Sequence, residues 1–232
     1  MCDQGTIITI DGPSGVGKST ISRMLAARLG YTYLDTGAMY RAVGLQCKNE
    51  GISPDDEEAV SRLVDTIDLQ LLPPDSPDED TRVLLNGQDV SQEIRTPEVS
   101  MLASRVSALP AVRARLTALQ QQIGSQGKIV AEGRDTGTVV FPQAQYKFYL
   151  DADPEERARR RLNQLKKSGK QVDLEQLRQQ ILQRDQNDAE RTIAPLRAAP
   201  DARVIDSTTL SASEVVNKML AIIQGNEPAL EK

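Results

Sequence analysis

The sequence predicts an α/β fold built on a parallel sheet, and three observations predict it. A short apolar run rich in β-branched residues, Ile7 to Ile10, is typical of a buried parallel strand. A glycine-rich segment follows this run, and apolar residues at helical spacing follow the segment. Further short apolar runs then alternate with helical patterns along the chain, which is the order expected of βαβ units.

The glycine-rich segment predicts a phosphate-binding loop. Residues 12–19, GPSGVGKS, match the P-loop pattern of two glycines five apart followed by Lys and Ser. Its glycines let N–H groups converge on phosphate oxygens, and the positive end of the following helix faces the same anion. We expect Lys18 to contact the β- and γ-phosphates and the Ser19 hydroxyl to bind Mg²⁺. The predicted nucleoside triphosphate site comprises Gly12, Pro13, Ser14, Gly15, Val16, Gly17, Lys18, Ser19 and Thr20.

The remaining core elements follow from periodicity and capping signals. The predicted strands are 31–35, 128–132, 147–150 and 203–206. The predicted helices run from 18 to Gly30, from 36 to near Gly51, from Ser53, from Pro97, from 110 to 123, and from caps at Asp153, Asp173 and Ser211. Asp153 with Glu156, and Ser211 with Glu214, match the capping-box pattern.

A second pattern interrupts this alternation. Three short runs, at 68–72, 82–85 and 88–90, are typical of antiparallel strands, and Asn86-Gly87 between the last two is a strong hairpin signal. A polar segment around 73–80 is typical of a solvent loop. We therefore expect roughly 36–104 to be an insert outside the parallel core.

Composition excludes several function classes. The net charge of −5 argues against a general nucleic-acid or membrane-surface binder, and no apolar run is long enough for a membrane span. Two cysteines, Cys2 and Cys47, form no disulfide framework, so we expect a reduced, cytoplasmic protein. The chain has no histidine, which excludes any mechanism that needs an imidazole.

Charged residues outside the loop indicate where a second ligand binds. Arg184, Asp188 and Arg191 continue the helical face of an apolar pair, which favours a cleft-lining position over an exposed helix with ion pairs. Arg134 and Asp135 follow a predicted parallel strand, the sheet edge where ligands bind in such folds. A guanidinium suits a phosphate, and a carboxylate suits an amine, although a simple loop ion pair is the alternative.

Two further segments extend this prediction. Thr36 and Arg41 follow the second strand and could hold a second phosphate, with Arg41 as a solvated helix residue the alternative. The segment 157–170 carries seven basic residues and no acid, which indicates a lid over the transferring phosphate, a solvated helix or a nucleic-acid patch. The lack of aromatics there counts against nucleic acid. We expect one of Arg157, Arg160 or Arg161 to act in the lid.

These segments resemble the bacterial cytidylate kinases, within the nucleoside monophosphate kinases. The resemblance spans about 7–222 and rests on IDGPSGVGKST, LDTGAMYR, VSQEIRTPEVS, AEGRDTGTVVFP, RARRR, RDQNDAERTIAPL and VIDSTTLS. It implies a five-stranded parallel P-loop sheet flanked by helices, an inserted monophosphate-binding subdomain with a small antiparallel sheet, and a helical lid. The expected divisions are core 1–35, monophosphate-binding region 36–104, core 105–152, lid 153–172 and core 173–232.

The resemblance also implies an activity, in which ATP or dATP phosphorylates CMP or dCMP with Mg²⁺. It implies that cytosine is recognised by Ser104, Arg113 and Asp135. It implies that the acceptor phosphate is held by Thr36, Arg41, Arg134 and Arg191, with Arg184 and Asp188 near the sugar. Thr36 departs from the serine common in the family but keeps the hydroxyl. The expected catalytic residues are Lys18, Arg134, Arg184, Arg191, Arg157 and Arg161.

The chemistry of the acceptor agrees with the lack of histidine. A phosphate whose second pKa is near 6 is a dianion at neutral pH, so it needs no general base. Asp35 or Glu132 could hold Mg²⁺ through water, or each could be an N-cap or loop acid. A kinase for UMP or AMP, a nucleotide-dependent switch or ATPase, and a module that only binds ATP stay open as alternatives. We expect a monomer with no nucleic-acid or membrane partner.

Overall fold

The structure, a computed structural model, describes residues 5–73, 80–167 and 172–225. Outside these ranges lie Cys2, the middle of the predicted solvent loop at 74–79, the end of the basic segment at 168–170, and the tail at 226–232. The predictions made for those residues stay predictions.

Eight strands and eight helices make up the described part of the chain. In order they are β1 (Ile7–Asp11), α1 (Lys18–Leu29), β2 (Thr32–Asp35), α2 (Thr36–Asn49), α3 (Glu57–Thr66), β3 (Leu69–Leu72), β4 (Arg82–Leu85), β5 (Gln88–Asp89), α4 (Pro97–Val106), α5 (Pro110–Gly124), β6 (Ile129–Gly133), β7 (Tyr146–Asp151), α6 (Pro154–Lys167), α7 (Leu174–Glu190), β8 (Arg203–Asp206) and α8 (Ala212–Ile223). A 3₁₀ turn, Glu93–Arg95, precedes α4, and a π-helical turn, Thr136–Val140, follows β6.

Five strands form one parallel sheet in the order β2-β6-β1-β7-β8. The predicted α/β class and the predicted parallel core are therefore confirmed. The first strand lies at the centre of this sheet, so the loop that follows it opens in the middle of the carboxyl edge. In open parallel sheets ligands bind at this edge.

Helices cover both faces of the parallel sheet. Because side chains alternate along a strand, Val130 packs with α1 and α8 on one face, whereas Ile129 and Ala131 pack with α2 to α5 on the other. Helices α6 and α7 pack on each other through a separate small cluster that includes Leu165 and Ile181. The α6–α7 pair therefore has its own apolar contact, apart from the two main layers.

The small sheet β3-β4-β5 is antiparallel and separate from the parallel sheet, as predicted. Its Asn86-Gly87 turn has both residues at positive φ, 51° and 79°, which is the backbone geometry that this dipeptide favours. Val83 and Leu85 nevertheless join the same apolar cluster as Ala131 of the parallel sheet. The three strands therefore lie outside the parallel sheet but share its core.

Two capping predictions were wrong. Helix α3 begins at Glu57, and its cap is Asp56 rather than Ser53, because the Asp56 carboxylate accepts the N–H of Ala59 at 3.0 Å. Asp153 accepts N–H groups at the start of α6, but its own N–H donates to the Thr208 hydroxyl instead of to a glutamate. The capping box predicted at the start of α8 is confirmed.

One buried carboxylate joins the end of β1 to the turn after β6. The Oδ1 atom of Asp11 accepts hydrogen bonds from the backbone N–H and the hydroxyl of Thr136, each at 2.8 Å. Its Oδ2 atom accepts the N–H of Gly137 at 2.8 Å. The sequence patterns did not predict this contact, and it fixes the phosphate-binding loop beside the turn that carries Arg134.

We predict that Asp11→Asn lowers the free energy of unfolding by about 1–3 kcal/mol, because an amide NH₂ must face one of these donors. Urea unfolding measures the change. Asp206→Asn, at the exposed end of β8, is the matched control and should change stability by less than about 0.5 kcal/mol. Equal effects at the two positions would contradict the assignment.

Candidate active site

The phosphate-binding loop has no room for side chains where it meets β7 and α6. Gly12 has φ of 151°, and a Cβ there would lie 2.2 Å from the carbonyl oxygen of Leu150. Gly15 has φ of 77°, and a Cβ there would lie 3.1 Å from the backbone oxygen of Arg157. Both positions require glycine, as the loop pattern predicted, because of close packing as well as backbone angle.

Lys18 is buried at the start of α1 and folds back onto the loop. Its Nζ atom donates to the carbonyl oxygens of Gly12 at 2.8 Å and Pro13 at 2.7 Å. Burial, together with the positive charge of Arg134, lowers the pKa of Lys18 well below its ordinary value. The ammonium therefore gains from any added negative charge, which a triphosphate supplies.

Glu132 is the acid at the end of β6, and hydroxyl groups hold one of its oxygens. Its Oε1 atom accepts from Ser19 at 2.8 Å and from the phenol of Tyr33 at 2.5 Å. Its Oε2 atom is buried and has no hydrogen-bond partner among the residues that the structure describes. Burial, and then the charge of Asp35, raise the pKa of Glu132.

A cleft of about 980 Å³ opens along the carboxyl edge of the sheet. Its walls include Ser14 to Thr20 of the phosphate-binding loop and a set of arginines. The predicted site residues on its walls beyond the loop are Arg41, Arg134, Arg161 and Arg184. The structure thus brings these guanidinium groups to the same cleft as Lys18.

Arg41 is held against the end of β2. Its guanidinium pairs with Asp35 at 2.8 Å, and its side chain is only 16% exposed, so it is not a solvated helix residue. Although burial raises the pKa of Asp35, Arg41 and Arg95 lower it more, and the net pKa is below the ordinary value. The Thr36 hydroxyl donates to the backbone oxygen of Glu132 at 2.7 Å rather than facing the cleft.

Next to this cleft lies a buried cluster of ion pairs, formed by the residues that the family resemblance implies will bind the base and the sugar. Asp188 accepts from the Nε atom of Arg134 at 2.9 Å and, weakly, from the Ser104 hydroxyl at 3.5 Å. Asp135 pairs with Arg113, whose guanidinium also lies 5.6 Å from the centre of the Tyr40 ring. The cluster is therefore assembled, with its charges paired to each other.

Arg191 joins the same cluster from the end of α7. Its guanidinium lies 3.8 Å from Asp135 and 3.9 Å from Asp188. It is the residue after the last helical one, so only Arg184 and Asp188 of the predicted charged trio lie within the helix. Burial raises the pKa of Asp188, but Arg134, Arg184 and Arg191 lower it more, to below its ordinary value.

Three arginines of α6 have different surroundings. Arg157 is buried, donates to the carbonyls of Ala152 and Ser14, and pairs with Asp185. Arg160 donates to the backbone oxygens of Val16, Ser207 and Thr208. Arg157 and Arg160 thus bind loops of the core, although Arg160 also lines the cleft. Arg161 lines the cleft as well and hydrogen-bonds Gln164 within its own helix. The contacts favour Arg161 over Arg157 for the lid role, which stays a prediction.

Sequence patterns missed several residues of this region. Asp185 accepts the N–H of Ser14 at 2.8 Å. Arg95 and Asp80 pair with each other at 2.9 Å and line the cleft. Of these residues, Tyr33 could have been predicted from the alternation of side chains along a strand. It precedes Asp35 by two positions, so both side chains lie on the same face of the sheet.

The parallel sheet and the glycine loop after its central strand define a P-loop protein. A sequence model of the cytidylate kinase family matches residues 8–225. The chain is 50% identical over 216 residues to a cytidylate kinase of Carboxydothermus hydrogenoformans, covering 93% of this chain and 96% of that protein. It is 49% identical over 217 residues to one from Syntrophotalea carbinolica, covering 94% and 91%. The chain belongs to the cytidylate kinase family and is a nucleoside monophosphate kinase.

A comparison of folds agrees with the parallel-sheet architecture. An uncharacterized protein from Eubacterium ventriosum superimposes with a TM-score of 0.54 at 10% identity, covering 95% of this chain and 99% of that one. At this identity the likeness concerns the fold alone. Within the described ranges, none of the helices has both the length and the apolar character needed to cross a membrane.

We predict that Arg113→Met lowers the free energy of unfolding by about 3 kcal/mol or more, because Asp135 then loses its main buried partner. Both side chains of this pair are less than a tenth exposed, at 4% and 7%. Denaturant unfolding of the ligand-free protein provides the measurement. The matched control is Arg62→Met in an exposed pair with Glu58, and it should cost at most about 0.5 kcal/mol. A similar small loss for Arg113→Met would contradict the prediction.

Proposed function

We propose that this protein transfers the γ-phosphoryl group of ATP to CMP and dCMP, giving ADP and CDP or dCDP. The observation that carries the proposal is the convergence of Lys18, Arg41, Arg134 and Arg184 on one cleft in a member of the cytidylate kinase family. Loop N–H groups and Lys18 suit the donor triphosphate. The arginines suit a second phosphate facing it.

The reaction requires positioning and charge stabilisation rather than proton abstraction. The acceptor phosphate is already the nucleophile in its dianionic form at neutral pH. The arginines offset the repulsion between two anions and stabilise the negative charge of the in-line transition state. A chain without histidine is compatible with this chemistry.

Several residues change partners when the two nucleotides bind. In our proposal Lys18 leaves the carbonyls of Gly12 and Pro13 for the donor phosphates, and Arg41 turns from Asp35 to the acceptor phosphate. Ser104, Arg113 and Asp135 contact cytosine, with Asp135 accepting from its exocyclic amine. Arg184 and Asp188 contact the sugar, and Arg134 and Arg191 contact the acceptor phosphate. The Thr36 hydroxyl completes that site by turning to the phosphate from the backbone oxygen of Glu132.

The residues at the start of α1 and the end of β6 fit a Mg²⁺ ion. Oxygen ligands suit Mg²⁺, and the buried Oε2 atom of Glu132 has no hydrogen-bond donor within the described part of the chain. We propose that Ser19 and Glu132 hold the ion. When bound, Mg²⁺ neutralises charge on the donor phosphates during transfer.

The proposal includes a lid that closes over the bound nucleotides. Closure of the lid, 153–172, over the monophosphate-binding region, 36–104, would exclude water from the transfer, with Arg161 above the phosphates.

We also propose that the protein works as a monomer in the cytoplasm, where the Cys47 thiol stays reduced. Light scattering of the purified protein measures its molar mass in solution, and a monomer should give about 25.4 kDa.

The function is tested by ADP formation with CMP, dCMP, UMP or AMP as acceptor. We expect rapid ADP formation with CMP and dCMP and only slow formation without an acceptor. Lys18→Ala should lower kcat by about 100-fold or more because the transferring charge loses a buried cation. Lys218→Ala, on the exposed face of α8, is the control and should keep normal turnover. Acceptor-independent ADP formation would identify an ATPase and overturn the proposal.

The role of Asp135 is tested by comparing two acceptors. Asp135→Ala should lower the ratio of kcat/KM for CMP to that for UMP about tenfold, because the cytosine amine loses its acceptor. The ratio is independent of the amount of folded enzyme, which matters for a residue in a buried pair. Asp89→Ala, at an exposed carboxylate, should leave the ratio unchanged. An unchanged ratio for Asp135→Ala would remove this residue from base recognition.

A further inference from the structure

The two oxygens of Glu132 have different surroundings although both are buried. Oε1 accepts two hydroxyl hydrogen bonds, from Ser19 and Tyr33, at 2.8 and 2.5 Å. Oε2 receives none from any described residue. A buried carboxylate oxygen without a donor is costly, so this arrangement leaves one oxygen for something that binds from the cleft.

The sheet register explains how a tyrosine reaches this acid. In the parallel pairing of β2 and β6, Tyr33 lies beside Val130 and Asp35 lies beside Glu132. Alternate residues point to one face of a strand, so Tyr33, Asp35 and Glu132 share the face that is covered by α1. Ser19 lies in the first turn of that helix.

The direction of the Ser19 hydrogen bond is also informative. A serine hydroxyl has one proton and two lone pairs. Since its proton is donated to Glu132, its lone pairs remain for a cation on the cleft side. The phenol of Tyr33 donates to the same Oε1 atom, and among the described residues Tyr33 is not part of the cleft wall.

We propose that Tyr33 is a positioning residue for the divalent metal, and this inference rests on the proposed function. Its phenol donates to Oε1 and fixes the rotation of the carboxyl group, so that Oε2 faces the ion beside Ser19. Hydrogen-bonded second partners of this kind orient metal-binding carboxylates and strengthen metal binding. Tyr33 itself contacts neither the metal nor the nucleotides.

The test uses Tyr33→Phe, which removes the hydroxyl and keeps the ring. Mn²⁺ is titrated into the full-length protein with a non-hydrolysable ATP analogue, and free Mn²⁺ is measured by electron paramagnetic resonance. We expect about tenfold weaker Mn²⁺ binding in the variant. The matched control is Tyr146→Phe, which loses a 3.0 Å hydrogen bond to the Ile223 carbonyl and should bind Mn²⁺ as the wild type does.

Binding of the ATP analogue without metal separates positioning from a structural role. We expect this affinity to be the same in the wild type and both variants. Tyr33→Phe with wild-type Mn²⁺ affinity would overturn the inference, as would an equal loss of nucleotide affinity with and without metal. Failure of the proposed function is a different result, since wild-type protein would then form no CMP-dependent ADP.

Discussion

The site depends on the parallel pairing of β1 with β6. This pairing places Asp11 opposite Gly133, so the loop after β1 and the turn after β6 begin side by side at one edge of the sheet. The Asp11 carboxylate then bonds the turn directly through Thr136. Because the two segments start from adjacent strands, their separation is fixed. In the proposed reaction they bind the donor and the acceptor, and phosphoryl transfer needs a fixed separation between two phosphates.

Helix α7 completes this arrangement by contacting both the loop and the cleft. Two consecutive residues of the helix have different tasks, because neighbouring positions point about 100° apart. Arg184 lines the cleft, whereas Asp185 accepts the N–H of Ser14 and pairs with Arg157. One helix thus contacts the phosphate-binding loop, lines the cleft, and joins α6 through Arg157.

Much of the fold and part of the site were predictable because their signals are local. The loop pattern, the caps of α7 and α8, and the rule that ligands bind at the ends of parallel strands led directly to Lys18, Arg41 and Arg134. The contacts of Asp11 with Thr136 and of Tyr33 with Glu132 join residues 125 and 99 positions apart. They depend on the strand order β2-β6-β1, which no local pattern encodes. The sequence pattern placed the cap of α3 at Ser53, whereas the structure places it three positions later, at Asp56.

The paired state of the arginines has a consequence for the turnover cycle. Arg41 and Arg134 already have carboxylate partners in the described structure, so in the proposed reaction an arriving acceptor phosphate exchanges one anion for another. Only the difference between the two ion pairs contributes to affinity, since breaking the internal pair is a cost of binding. The same carboxylates regain their arginines as a diphosphate departs. Internal competition of this kind favours rapid exchange of ligands over tight retention.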